Sequence, residues 1–434
     1  MRLGGRVQAA IEVLEDMAAR KRPATEALKD WGLSHRFAGS GDRSAIGNLV
    51  YDCLRRQASA AWLMGDDSPP SVAFATLMRD WDMTPDHIRQ AFEDDRFAPE
   101  IPVEKLEAAA SRDTAFADAH VEADIPEWCA ASFEENFEEE WVAEAKALAA
   151  RPPLDLRVNT LKTDRGKVLK ALSSTDAKET AIALNGIRIE PGRGARRLPN
   201  VQAEPGYQKG WFEIQDEGSQ IAADLVFARP GEQVLDYCAG GGGKTLALAA
   251  GMENRGQVHA YDADRNRLAP IFERLKRAGV RNAQVHSPKD DLSPLEGRMD
   301  RVLVDAPCTG SGTWRRRPDA KWRLTPDMLE TRQNEQAAVL EAAARYVRPG
   351  GYLVYVTCSV FPEENEHQVY AFGERHAEWE LLSAGEVWQD LFGFDKPKPW
   401  SSDLKCITLT PASTGTDGFF FAVMQRAQGG GETA

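Results

Sequence analysis

VLDYCAGGGGKT, residues 234–245, decides the fold: a short apolar strand-like run, four consecutive glycines, then Lys-Thr opening the helix-length stretch LALAAGM. Glycine in such a turn lets backbone come close to a ligand that a side chain would block, and the N–H groups opening the helix point at it. A P-loop, a dinucleotide fingerprint, an adenosylmethionine loop and a merely structural turn all compete for this stretch. Gly243, Lys244 and Thr245 supply the end of a P-loop and VLVD (302–305) imitates its magnesium strand, yet Cys238 stands where the first P-loop glycine belongs. The dinucleotide spacing needs a third glycine at 245 or 246, where Thr245 and Leu246 stand, or a shift of the loop into Cys238. Asp262, ending the next strand-like run VHAYDAD, suits the ribose of either an adenosyl or a nicotinamide ligand and does not choose between them.

Outward from this loop, apolar runs alternate with helix-length segments: QVHAYDAD, then RLAPIFERLKRAG; RVLVDAP; an amphipathic stretch ending in YVRPGG; YLVYVTCSV. That alternation predicts an α/β doubly wound parallel sheet. In such sheets ligands bind beyond the carboxyl ends of the strands. DAPCTGSG (305–312) and TCSVFPEENE (357–366) therefore place Asp305, Cys308 and Cys358 at the ligand edge. A single cysteine after an apolar strand is ordinarily a buried, inert thiol, but two beside a glycine loop suggest chemistry.

One reaction needs those groups together. A thiolate adding to carbon 6 of cytosine turns the ring into an enamine whose carbon 5 attacks an electrophilic methyl group. A carboxylic acid near N3 favours the addition, and Asp305 stands three residues before Cys308. The carbon 5 proton must then leave, a step a second cysteine assists. Pro362 and the acidic residues after Cys358 predict a helix start whose dipole favours thiolate, with Glu363, Glu364 and Glu366 read as its solvated first turn.

The 434 residues exceed what one core normally holds, so two or three domains are expected. Before residue 150 the spacing of Val7, Ala10, Ile11, Leu14 and Met17 predicts helices, continued by 41–64, while LDLRVNTL, IRIE and GWFEIQ read as short strands of a middle module. The net charge of -14 excludes a protein that coats nucleic acid indiscriminately. TWRRRPDAKWR (313–323), with five basic residues and one acidic, is the expected RNA-facing segment. Six scattered cysteines predict reduced thiols without zinc spacing or any metal site. The N-terminus lacks a signal-peptide core and no apolar run reaches membrane-spanning length, so a cytoplasmic protein with no membrane contact is expected.

Three ordered motifs, DYCAGGGGKT, DAPC with its glycines and basic run, and TCSVFPEENE, resemble those of the RNA cytosine-5 methyltransferases of the RsmB and Sun group. The resemblance implies S-adenosylmethionine as cofactor, held by Cys238, Ala239, Gly240, Gly241, Gly242, Gly243 and Lys244, with Asp262 on the ribose and Asp290, or in reserve Asp291, near the adenine. It implies Cys358 as nucleophile, Cys308 in release of the methylated base, Asp305 against both cytosine and cofactor, and Lys244 orienting Asp305. The loop departs from the family, which usually carries a proline where this chain has Gly240 or Gly241. IPEWC…RPPLDLRVNTL (125–161), WFEIQDEGSQ (211–220) and DGFFFAVMQR (417–426) extend the resemblance, and 41–56 resembles a NusB-like domain more weakly. The expected organisation is a helical NusB-like RNA-binding domain over 1–124, an α+β RNA-positioning module over 125–215, a Rossmann-like methyltransferase domain over 216–427 and a disordered tail over 428–434. The expected partner is RNA, ribosomal more than transfer RNA, bound by a monomer. A DNA-type enzyme, in which Pro307-Cys308 holds the nucleophile, and a catalytically idle RNA-binding factor are the rivals.

Overall fold

The computed structural model describes residues 1–428; the expected tail lies, but for its first residue, outside the described residues. Two compact units emerge, one made of Met1–Pro152, Pro191–Leu198 and Thr313–Leu324, the other of Pro153–Glu190, Pro199–Gly312 and Thr325–Ala434.

The first unit is helical. Leu3–Arg20, Ser40–Arg55 and Pro69–Arg79 bury Val7, Ile11, Ile46, Leu49, Val50 and Phe74 in one core. The apolar stripe predicted over 41–64 is interrupted at Arg56, where a second helix, Gln57–Met64, begins. The helices of 119–148 belong to this unit. So does the basic segment, only part of which is surface: Arg317 and Arg323 are exposed. Trp314, Arg315 and Lys321 are buried. Arg55 donates to the Arg315 carbonyl at 3.0 and 2.8 Å, Trp322 to the Leu54 carbonyl at 2.6 Å, and Lys321 to the Arg55 carbonyl at 3.2 Å. Lys321 donates to a backbone carbonyl, whereas Arg323 pairs with Asp319 at 2.9 Å.

The second unit holds two sheets. The smaller runs β2-β3-β1-β4, all antiparallel, from β1 (Leu154–Val158), β2 (Lys178–Glu179), β3 (Gly186–Ile189) and β4 (Phe212–Ile214). The larger contains β5 (Gln233–Asp236), β6 (Gln257–Tyr261), β7 (Ala283–His286), β8 (Met299–Asp305) and β9 (Val347–Thr357), all parallel in the order β7-β6-β5-β8-β9. β10 (Trp379–Leu381), β11 (Cys406–Leu409) and β12 (Phe419–Arg426) extend it antiparallel beyond β9. The parallel sheet expected from sequence is thus a mixed one: DGFFFAVMQR runs the opposite way beside β9, with β10 beyond it.

Alternate side chains explain why these strands read as unbroken apolar runs. Val302, Val304, Leu353 and Tyr355 enter one core, whereas Leu303, Val354 and Val356 enter another on the opposite face. Order reverses between β5 and β8, which diverge from there to the two sides of the sheet. The crevice at their carboxyl ends is where the glycine loop and Asp305 meet.

Candidate active site

Every parallel strand delivers a chemical group to one edge: β5 the glycine loop, β6 Asp262, β7 Asp290, β8 Asp305 and β9 Cys358. The loop folds back on itself through a bond from the Gly242 N–H to the Ala239 carbonyl at 2.8 Å. Gly240 and Gly242 have φ of 50° and 80°, and a Cβ on Gly242 would lie 2.4 Å from Ile271. Asp262, 2% exposed, accepts the Gly240 N–H at 2.9 Å and the Asp264 N–H at 2.8 Å, so it braces the loop as well as facing the crevice.

Beneath the loop lies Asp236, the first residue of the DYCAGGGGKT motif, to which the sequence alone assigns no role. Its Oδ2 accepts from Thr245 Oγ1 at 2.7 Å, and its buried Oδ1 has no protein partner. Burial pushes its carboxyl from 3.8 to about 7. Burial likewise pushes the Cys238 thiol up, which leaves it a neutral lining group.

The loop is also held from outside. Arg274 donates to the Gly241 carbonyl at 2.6 Å and, through Nε, to Glu213 of β4 at 3.2 Å. Arg157 of β1 donates to the Gly243 carbonyl at 2.8 Å and to Gln215. Burial lowers the Arg157 pKa to about 10. The smaller sheet thus fixes both flanks of a loop that carries four glycines in a row.

Lys244 and Asp305 meet as expected: Nζ donates to Oδ2 at 2.7 Å, the lysine 6% exposed and the carboxylate 33%. The two cysteines also meet, Sγ to Sγ at 3.3 Å. The hydrogen bond to Cys358 and burial both push the Cys308 thiol well up. Asp290 is exposed and accepts the Ser287 N–H at 2.8 Å just past β7, whereas Asp291 caps the following turn through the Ser293 N–H and hydroxyl at 2.9 and 2.8 Å. Of the two, only Asp290 is tied to the strand end.

Glu364 overturns the reading of PEENE as a solvated helix start. The helix begins only at Glu366, and Glu364, 0% exposed, turns inward. Its carboxyl accepts the Thr309 N–H at 2.8 Å, Thr309 Oγ1 at 2.5 Å, Ser359 Oγ at 2.5 Å and Gln336 Nε2 at 2.9 Å. It therefore binds the residue after Cys308 to the residue after Cys358. Ser311 Oγ to Ser359 Oγ at 2.8 Å and the Gly312 N–H to the Cys358 carbonyl at 3.0 Å complete the suture. Desolvation raises the Glu364 pKa against those four donors. The only sequence signal for it is position: an acid a few residues past a strand-end cysteine, in a run otherwise typical of a surface.

A switch-point crevice floored by a glycine cradle, with acidic groups at successive strand ends, defines an enzyme of the Rossmann-like class that holds an adenosyl-type ligand. A family model described as 16S rRNA methyltransferase RsmB/F matches residues 224–425, and one described as the ferredoxin-like domain of RsmF/B-like methyltransferases matches 125–194. The chain is 33% identical to the probable ribosomal RNA small subunit methyltransferase B of Synechocystis sp. over 70% of its length and 67% of the relative's. It is 35% identical to ribosomal RNA small subunit methyltransferase B of Enterobacter sp., over 71% and 68% respectively. The crystal structure of a methyltransferase homolog protein from Pyrococcus horikoshii, 29% identical, superposes with a TM-score of 0.59 over 73% of this chain and all (100%) of that one. The chain belongs to the RsmB/F methyltransferase family.

Among the described residues no helix is long and apolar enough to cross a membrane, and no group of His, Cys, Asp and Glu is arranged to hold a metal ion.

Proposed function

We propose that this enzyme transfers a methyl group to carbon 5 of a cytosine in small-subunit ribosomal RNA, through a covalent bond between Cys358 and carbon 6. At the coarser level it is an S-adenosylmethionine-dependent RNA methyltransferase. The residues present fit that cofactor: Gly240 and Gly242 take the left-handed φ that bends the loop's backbone back on itself, and buried Asp236 Oδ1 has no protein partner. The backbone of residues 238–243, Asp262 and Asp290 would hold it, with Asp305 adjoining, and when bound it supplies an electrophilic methyl group.

The observation that carries the reading is the pair of sulfurs 3.3 Å apart at neighbouring strand ends. Cys358 adds to carbon 6, and the electron pair displaced from the 5,6 double bond makes carbon 5 the nucleophile. Asp305, oriented by Lys244, faces the ring nitrogen whose protonation or hydrogen bonding favours addition. Cys308, held as a thiol, does not compete for attack. As the carbon 5 proton leaves to solvent, its C–H electron pair re-forms the 5,6 double bond and expels Cys358 as thiolate, and the Cys308 thiol assists by hydrogen bonding to that departing sulfur. Glu364 keeps the two sulfurs in register. We place the reaction in the cytoplasm, on a monomer, since the chain's own residues complete the constellation.

Methyl-labelled S-adenosylmethionine, incubated with small-subunit ribosomal RNA, transfer RNA and double-stranded DNA, tests this. Label at carbon 5 of ribosomal cytosine that vanishes in Cys358→Ala, with an RNA adduct trapped in Cys308→Ala, is expected. An adduct that needs Cys308 and forms without Cys358 reverses the two roles. Labelled transfer RNA alone reassigns the substrate, and RNA binding without any labelling leaves an idle scaffold.

A further inference from the structure

The helical unit contains a cavity of about 490 Å³ that the active site does not use, lined by four arginines and no carboxylate residue. One wall is the polar stripe of the helix Ser40–Arg55, where Ser44 and Asn48 sit one turn apart ahead of Arg55. The facing wall is the segment 191–198, with Arg151 at its base.

This facing wall is built, not loose. Arg151 spreads its guanidinium over the Gly192 and Gly194 carbonyls at 2.7 and 2.8 Å and onto Asp52. Asn48 Nδ2 donates to the Gly194 and Arg196 carbonyls, both at 3.1 Å. Those bonds fix the backbone from which Arg196 and Arg197 project, exposed and with no acidic partner among the described residues. Arg55 and Arg151 share the single buried carboxylate of Asp52. Four arginines and no carboxylate line the cavity, on a chain whose net charge is -14.

We propose that this cavity holds backbone phosphate of the RNA substrate. The inference rests on the RNA methyltransferase reading above. Guanidinium forks match phosphate bidentately, and serine and asparagine add the neutral donors common at phosphate contacts. The volume exceeds what a lone inorganic anion needs, which favours a phosphate carried on a polymer. No base-reading group is implied: the cavity positions the RNA, and sequence is read elsewhere.

The test measures affinity for small-subunit ribosomal RNA against salt concentration, using the full chain and Arg196→Ala/Arg197→Ala. Both arginines are exposed and unpaired, so the fold is expected to survive. Each phosphate that the protein no longer neutralises lowers the slope of log K against log salt by about 1, so the double variant's slope falls by about 2. RNA Kd rises several-fold at physiological salt, while S-adenosylmethionine affinity and turnover at saturating RNA stay unchanged. The Arg196→Lys/Arg197→Lys variant retains most of the slope. Arg193→Ala, which removes an exposed cation already paired with Asp82 at 2.8 Å, leaves it unchanged. A wild-type slope in the alanine double variant overturns the proposal. So does loss of inorganic phosphate binding with RNA slope intact, which makes the cavity a small-anion site. If the wild-type chain binds no RNA, the reading of the enzyme falls with it, an outcome distinct from a normal slope in the variant.

Discussion

Replacing Glu364 with alanine removes the carboxylate that ties the Cys308 loop to the Cys358 loop, and leaves Ser311 Oγ on Ser359 Oγ and the Gly312 N–H on the Cys358 carbonyl as the remaining ties. Four donors lose their acceptor, but not equally. Ser359 Oγ retains Ser311 Oγ at 2.8 Å, and Gln336 Nε2 retains the Pro307 carbonyl at 2.9 Å. Thr309 loses partners for both its N–H and its hydroxyl. A buried donor left unsatisfied costs roughly 1–3 kcal/mol, so two cost about 4 kcal/mol. Relief of carboxyl burial offsets part, leaving about 3 kcal/mol of lost stability, or a Tm lower by roughly 6–12 °C on the scale of a 150–250-residue unit.

The functional effect is separable from that loss. A displacement of order 1 Å between reacting groups costs about 10²-fold in rate, so single-turnover methyl transfer at 20 °C is expected to slow by about that factor. Cofactor affinity, read by calorimetry, should stay within twofold, since no bond from Glu364 reaches the glycine loop. Glu364→Gln retains the acceptor for Thr309 N–H and Gln336, and the two hydroxyls reverse their bonds to accept, so it should lose less than tenfold. The reasoning is refuted if Glu364→Ala shows the expected drop in Tm but transfers methyl groups within threefold of wild type, or if cofactor affinity falls in step with rate.

Other perturbations follow from the same geometry. Arg274→Ala frees the Gly241 carbonyl and should weaken S-adenosylmethionine binding about tenfold by calorimetry, with the Cys358 adduct unaffected at saturating cofactor. Lys244→Met leaves Asp305 without its cation and should slow methyl transfer at least tenfold, measured at saturating RNA and cofactor. Asp236 has a folded pKa of about 7, above its ordinary 3.8, so the fold binds its proton more tightly than the unfolded chain does. Its contribution is present below pH 3.8 and is lost as pH rises through about 7, up to about 4 kcal/mol. Asp236→Asn should flatten that part of the stability profile of the cofactor-free protein. His259, paired with His286 at 2.9 Å, shows the reverse sign. Burial depresses it from 6.5 to about 4, so its contribution is present above pH 6.5 and lost as pH falls toward 4; His259→Gln should remove that acid limb from urea titrations.

How much of this is legible in sequence depends on what each residue signals locally. The strand ends are readable because unbroken apolar runs such as RVLV and YLVYV need burial on both faces, and a parallel sheet then brings their ends to one edge. The pairing of Lys244 with Asp305 comes instead from the family resemblance of the motifs that carry them. The direction of β12 is not readable, since alternation of apolar residues is the same whichever way a strand runs. Glu364 and the segment 313–323 mislead for one reason: charge is taken as a mark of solvent. Glu364 is buried because four donors converge on it, and Lys321 sits buried with its ammonium on the Arg55 carbonyl. Partners distant in sequence decide such cases. Arg157 and Arg274 are invisible for the same cause, each acting on a glycine carbonyl 86 or 33 residues away.

The path of the chain sets limits on how this enzyme can be cut or recombined. It passes from one compact unit to the other five times, after residues 152, 190, 198, 312 and 324. No single scissile point therefore yields two whole folding units. A fragment beginning at Pro153 still carries residues 313–324, with Trp314 stripped of Phe133, whose ring lies 5.9 Å away in the intact protein. It also carries Lys321 without the Arg55 carbonyl. Inheritance of this helical unit by recombination would require three separate segments to be exchanged together, so residues 313–324, which follow the catalytic loop, and the N-terminal helices are bound to change as one heritable block.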